Sequence, residues 1–268
     1  MPFLDLPTGA SVYYERKGKG PPLVLIMGTG LDCSCWKFQI DAYCHSFECI
    51  SFDNRGTGKT RSTGTPLSVP LMAADTAALI QNLRLGPTHI SGLSLGSCIA
   101  QELTITHPEL VTTLQLHGTW GRAYGYAARK FRAQIRLLEK LDLRAFYEMN
   151  VLWFMTPEYM NLYPDRVTSQ IDQIIQSVPK RNLLKQQYQA DLDHDTLDRL
   201  PQIKVPSLVT VGSFDLALPP IYGQEVSSAI PNCKFFMFKN GGHLHNIEQP
   251  EEFNKVTLDF LKRHTFKN

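Results

Sequence analysis

No stretch of this sequence approaches the ~18 consecutive apolar residues needed to cross a bilayer, and Met1-Pro2-Phe3-Leu4-Asp5 is not a basic segment followed by a cleavable apolar run. The expectation is a soluble, cytoplasmic chain with no membrane partner. Long basic runs are also missing. Lys and Arg number 27 against 25 Asp and Glu, a formal charge of +2, so nucleic acid is not an expected partner and a small molecule is. The six cysteines, Cys33, Cys35, Cys44, Cys49, Cys98 and Cys233, lack the spacing of a small disulfide framework, and Cys33-x-Cys35 has no second pair to complete a zinc site. Reduced thiols and no metal follow as expectations. Internal repeats and low-complexity segments are absent too. What remains, 268 residues of which 43% are hydrophobic, suits one domain with a full core and an insertion.

Short apolar runs alternate with helical patterns. Residues 11–15, 23–27, 48–52, 88–91, 111–116, 207–211 and 234–238 read as strands, several of them apolar throughout, as strands covered on both faces are. Helical patterns fall at 36–43, 72–83, 95–107 and 221–229. A last helix opens at Pro250, with Glu251 and Glu252 in its first turn and Phe253, Val256, Phe260 and Leu261 at helical spacing. The alternation predicts an α/β fold, a mostly parallel sheet with helices on both faces. The rhythm breaks between Gly118 and Leu200, where helical patterns dominate. A connection so long needs structure of its own. Residues 119–199 are therefore read as a helical cap inserted into a core formed by 1–118 and 200–268, roofing the carboxyl ends of the strands where open α/β sheets hold ligands.

Gly92-Leu93-Ser94-Leu95-Gly96 sits where an apolar strand must turn abruptly into a helix. Flanking glycines relieve the crowding of such a turn, and Ser94 Oγ would stand beside the unpaired N–H groups of a helix start, where negative charge on a bound carbonyl oxygen is stabilised. That is the setting of a serine nucleophile. A base and an acid are required elsewhere, and two later strand ends offer them. The apolar strand before Gly212 leads through Ser213-Phe214 to Asp215, and the strand before Lys239 leads through Asn240-Gly241-Gly242 to His243. The order Ser94, Asp215, His243 is the one this type of turn requires.

Here the chain resembles the α/β-hydrolase superfamily over nearly its whole length. Beyond Gly92–Gly96, the run from Phe52 to Thr60 (FDNRGTGKT) is similar to the family's D-x-R-G-x-G-x-S loop, and Gly242-His243 with Gln249-Pro250-Glu251-Glu252-Phe253 is similar to its terminal G-H and P-E-x-F pattern. Within the superfamily the likeness is to capped, single-domain esterases and lactonases, including the enol-lactonase and methyl-esterase branches. One departure is that Met27-Gly28 stands where the family usually has His-Gly. The resemblance implies an oxyanion hole from the backbone N–H groups of Thr29 and Leu95, with Gly28 and Gly30 letting the loop approach the substrate. It implies a cofactor-independent serine hydrolase that cleaves a carboxylic ester or lactone of a small, partly apolar acid through an acyl-enzyme. The alternatives are a cofactor-free dioxygenase on the same scaffold, and a ligand receptor with slow hydrolase activity.

Competing readings attach to several residues. His245 lies two positions beyond His243 and is read as a hydrogen-bonded neighbour. Asp191, Asp193 and Asp195 are read as a solvated connection leaving the cap, and Asp53 and Arg55 as fixing their loop. Trp36 is read as core, whereas Trp120, Trp153, Phe154, Met155 and Tyr159 are read as substrate-pocket walls because they fall at or within the cap. Arg129, Arg132 and Arg136 line one side of a helix opposite Phe131, Ile135 and Leu138. A solvated face is the plain reading, and docking of an acidic carrier protein is the functional one.

Overall fold

The computed structural model describes residues 3–62, 64, 66–177 and 181–265, so residues 178–180 of the expected cap, and 1–2, 63, 65 and 266–268 of the expected core, lie outside the described residues. Among the described residues, nine strands form one sheet: β1 Phe3–Asp5, β2 Ala10–Lys17, β3 Pro22–Ile26, β4 Glu48–Phe52, β5 Arg61–Ser62, β6 Thr88–Leu93, β7 Val111–His117, β8 Ser207–Gly212 and β9 Cys233–Phe238. Their order is β1-β2-β4-β3-β6-β7-β8-β9, with β5 paired to β2. From β4 to β9 all pairs are parallel; β1, β2 and β5 are joined antiparallel at one edge. β6 and β8 are buried at every position, as central parallel strands must be.

Among the described residues, eleven α-helices accompany the sheet: α1 Lys37–Tyr43, α2 Val69–Asn82, α3 Leu95–Thr106, α4 Gly125–Lys140, α5 Leu143–Phe154, α6 Pro157–Leu162, α7 Pro164–Ser177, α8 Arg181–Asp193, α9 Pro220–Ala229, α10 His245–Glu248 and α11 Pro250–Thr265. Alternation along the strands assigns the faces. Gln115 of β7 donates to the Thr257 carbonyl of α11 at 2.9 Å, and His117, two residues on, stands 4.7 Å from the Phe253 ring of the same helix. The other face is covered by α3 against β6 and α9 against β8. α2 starts earlier than its apolar pattern suggests, because Ser68 caps it by accepting from the Leu71 N–H at 3.3 Å.

Two features position the site. The chain runs outward from β3 to β4 and then returns to β6 on the other side of β3, so the loops leaving β3 and β6 diverge at the strand ends where such sheets bind ligands. The register pairs Ile26 with Gly92, which brings the Met27–Leu31 segment alongside Ser94. The second feature is the five helices α4–α8, all inserted between β7 and β8.

Candidate active site

Ser94 joins β6 to α3 with φ 55° and ψ −122°, a region that an L-residue occupies only when its surroundings enforce it. Backbone contacts enforce it here. The Ser94 N–H donates to the His117 carbonyl at 2.9 Å, and the Ser94 carbonyl accepts from the Ser97 N–H at 2.8 Å and Ser97 Oγ at 2.6 Å. The two glycines have no room for a side chain. A Cβ on Gly92 would lie 2.2 Å from the Gly96 carbonyl oxygen, and one on Gly96 would lie 2.1 Å from that of Ile26.

Asp215 and His243 meet at the Ser94 cavity, which His243 lines. Asp215 is held by the Leu218 N–H, which donates to Oδ1 at 2.7 Å, while Oδ2 faces His243 Nδ1 at 2.7 Å. A carboxylate only accepts, so Nδ1 carries the proton and Nε2 is the nitrogen left for chemistry. The imidazole is fixed further by Phe154, whose ring stacks at 5.4 Å and 29° and whose carbonyl accepts from the Leu244 N–H at 3.1 Å. Ser94 and His243 line one cavity of about 20 Å³, the room of a single water. It adjoins a space of about 40 Å³ across Thr29, Leu31, Phe154, Tyr188 and Leu244. That space in turn adjoins a pocket of about 270 Å³ across Leu31, Met155 and Leu244, also lined by Asp32 and Phe38.

His245 has other work. Its Nε2 lies 2.9 Å from Thr210 Oγ1, which also lies 2.7 Å from His117 Nδ1; His117 Nε2 is 3.0 Å from Ser91 Oγ. One hydroxyl thus joins two buried imidazoles beneath the sheet end. Burial pushes His245 down to about 4 and His117 well below its ordinary range. Asp53 accepts backbone N–H bonds from Cys33 and Lys59 at 2.9 and 2.7 Å. Arg55 pairs not with Asp53 but with Asp75 at 2.7 Å, both buried. The six cysteines form no disulfide.

Of the expected pocket walls, Gly28 and Phe154 line the Ser94 cavity and Met155 lines the spaces next to it. Four other expectations are corrected. Trp120 lies fully buried under α4, 5.2 Å from Phe131 and 5.9 Å from His194. Trp153 opens onto an outer groove with Arg129, Arg132 and Met149, since neighbouring helical residues point about 100° apart and Phe154 takes the inward direction. Tyr159 lines a different groove, with Arg166 and Glu248. Gly30 faces α5 and α8, where a Cβ would lie 2.8 Å from Leu184 Cδ1, and its N–H donates to Gln187 Oε1 at 2.8 Å.

A fifth correction concerns Asp191, which is 1% exposed and not solvated. It lines the Ser94 cavity, and its Oδ2 accepts from Thr29 Oγ1 at 2.7 Å. Facing the same cavity is Lys130, which the sequence reading passed over. Its Nζ stands 4.1 Å from the Phe131 ring centroid and 5.6 Å from that of Phe154. Burial pulls the Lys130 ammonium down and pushes the Asp191 carboxyl up; each offsets part of the other's shift, and Thr29 also steadies the carboxylate. A signal for both was present. Ala127, Lys130, Gln134 and Leu138 repeat at spacings of three and four, as do Leu184, Gln187 and Asp191, so each charge occupies a buried helical stripe.

Comparison with known proteins bears on the whole chain. The curated sequence of a putative non-heme bromoperoxidase, BpoC, from Mycobacterium tuberculosis is 33% identical, covering 92% of this chain and 96% of that protein. A putative carbamate hydrolase, RutD, from Azorhizobium caulinodans is 27% identical, covering 94% and 95%. Among solved structures, a thermophilic esterase from Thermogutta terrifontis superposes with a TM-score of 0.89 at 25% identity, covering 99% of this chain and all of that one (100%). The sequence model of the alpha/beta hydrolase fold matches residues 21–250. With that match across most of its length, and with the sheet order described above, the chain belongs to the α/β-hydrolase fold family.

Proposed function

We propose that this protein is a serine hydrolase that cleaves a carboxylic ester or lactone of a small, partly apolar substrate through an acyl-enzyme. The observation that carries the reading is Ser94, held at positive φ at a helix start, sharing a cavity with a histidine that is bonded to a buried aspartate. In this mechanism His243 Nε2 takes the Ser94 proton as Oγ attacks the carbonyl, then delivers it to the departing oxygen. Asp215 keeps Nδ1 protonated and offsets the imidazolium charge. Water, activated by the same nitrogen, releases the acid.

The developing oxyanion needs donors that are not otherwise engaged. Leu95 is the first residue of α3, whose N–H has no partner within the helix. In the loop after β3, the Gly30 N–H is committed to Gln187, which supports Thr29 as the second donor. A carbamate carbonyl, of the kind named for one relative, is open to the same attack, but its nitrogen feeds electron density into the carbonyl and makes it the harder substrate.

Labelling with a fluorophosphonate followed by mass spectrometry tests the nucleophile, and a panel of small esters and lactones tests turnover. The expected result is a single adduct on Ser94, with kcat reduced by several orders of magnitude in Ser94→Ala. An unlabelled Ser94, or oxygen consumption with a heteroaromatic substrate that survives Ser94→Ala, would overturn the assignment in favour of the cofactor-free dioxygenase. Labelling without turnover of any ester would favour the receptor.

A further inference from the structure

The Ser94 cavity contains two polar groups that the acyl-enzyme mechanism does not use. Lys130, from α4, reaches it from the inserted helices and forms no direct ion pair among the described residues; its Nζ lies over the faces of Phe131 and Phe154. Asp191, from α8, spends Oδ2 on Thr29, while Oδ1 is buried and accepts no hydrogen bond from the described residues. An ammonium with no acceptor among the described residues and a buried carboxylate oxygen with no donor there are both costly, and they face one space that Leu31, Leu93, Phe154, Tyr188 and Leu244 also line. One group that accepts from the first and donates to the second would satisfy both.

Charge narrows the class of that group. The Lys130 ammonium is balanced by two carboxylates that act on it, Asp191 and Asp215. With His243 neutral, as a general base must be, a substrate carboxylate would meet fixed charges, Lys130 against Asp191 in the cavity wall and Asp215 beyond it, that already sum to one negative. A substrate ammonium would donate to Asp191 but offer Lys130 no acceptor, and would set a like charge beside it. A neutral group meets neither penalty.

We propose that Lys130 and Asp191 form a specificity subsite for a neutral substrate group that both accepts and donates a hydrogen bond, a hydroxyl or a carboxamide, placed close to the scissile carbonyl. Lys130 Nζ donates to its oxygen, and its O–H or N–H donates to Asp191 Oδ1. The inference rests on the serine-hydrolase reading and specifies the substrate class for that same site.

The test uses the full-length enzyme and two sets of small esters, one varied in the acid and one in the alcohol, with each variable chain ending in –OH, –CONH₂, –COO⁻ or –CH₃. For the wild type, kcat/KM for the hydroxyl or carboxamide member is expected to exceed that of the methyl and carboxylate members by about tenfold or more in one set, because mismatched partners leave buried polar groups unpaired. In Lys130→Met the ratio of hydroxyl or carboxamide to methyl should collapse to about one. Asp191→Asn, a second variant that retains an oxygen for Thr29, should lose the same preference and gain about tenfold on the carboxylate member, because the ammonium is then less balanced. A flat wild-type series, a wild-type preference for the carboxylate, or variants that lower all four esters by one common factor would each overturn the subsite. If Ser94 takes the fluorophosphonate while the series is flat, the subsite fails alone. If Ser94 is not labelled and no ester turns over, the hydrolase reading fails and the subsite falls with it.

Discussion

Three side chains at the site are each constrained from a different direction. Ser94 is set by its own backbone, His243 by Asp215 and the Phe154 ring, and Asp215 by the Leu218 N–H. The aspartate matters for more than placement, because only a carboxylate there compels Nδ1 to hold its proton. Asp215→Asn keeps the shape but offers an amide that can satisfy the other tautomer. An equivalent change in a Ser-His-Asp triad on an unrelated fold costs about 10⁴ in turnover, and a loss of similar size in kcat on the best ester is expected here. His245 supplies the control: its nitrogens are occupied by Thr210 and the Gly242 carbonyl, so His245→Asn should change kcat by less than about tenfold. Equal losses in the two variants would remove the distinction between base and neighbour.

At the scale of elements, α8 does more than cover the site. Gln187 accepts from the Gly30 N–H and donates to the Arg55 carbonyl at 3.0 Å, and one turn later Asp191 holds the Thr29 hydroxyl. The helix therefore grips the loop proposed to donate to the oxyanion. Gln187→Ala should lower kcat by about tenfold with little change in KM, and lower stability by ~1–2 kcal/mol, since a buried N–H loses its partner. Steady-state kinetics and urea unfolding check both; a raised KM with kcat intact would place Gln187 in substrate binding instead. The grip was not legible in the sequence. Ser94, Asp215 and His243 were, because each follows the end of an apolar strand in a local pattern of glycines or turn residues. Trp153 and Phe154 differ by one helical step, and only packing decides which turns inward. Asp191 is buried while its acidic neighbours Asp193 and Asp195 are exposed, and the polar composition of the run masks its place in a buried stripe. β1, three residues long, is too short to show a period.

Buried imidazoles couple the whole molecule to pH. Burial holds His245 and His89 down to about 4 and His194 to about 3, whereas in the unfolded chain they titrate near 6.5. Between those values the unfolded state binds more protons, so their contribution to stability is complete above about pH 6.5 and is lost as pH falls towards 4. Asp53, Asp191 and Glu248, raised by burial, act in the opposite sense as they take up protons in the folded state. A single substitution isolates one contribution. Relative to wild type, His245→Asn should flatten the fall in unfolding free energy between pH 6.5 and 4 by about 1.4 kcal/mol per pH unit. Urea titrations at several pH values test this, and parallel profiles for the two proteins would refute it.

The grip of α8 on the loop after β3 also bears on how such a protein can be recombined. Exchanging α4–α8 for the corresponding helices of a relative would carry away Gln187 and Asp191, while Thr29, Gly30 and the Arg55 carbonyl stayed behind with the sheet. A chimaera that gained a new substrate pocket would then lose rate at the same step, unless residues 27–31 travelled with the graft. The inserted helices and that short loop form one heritable unit, although more than 80 residues of sheet and helix separate them along the chain.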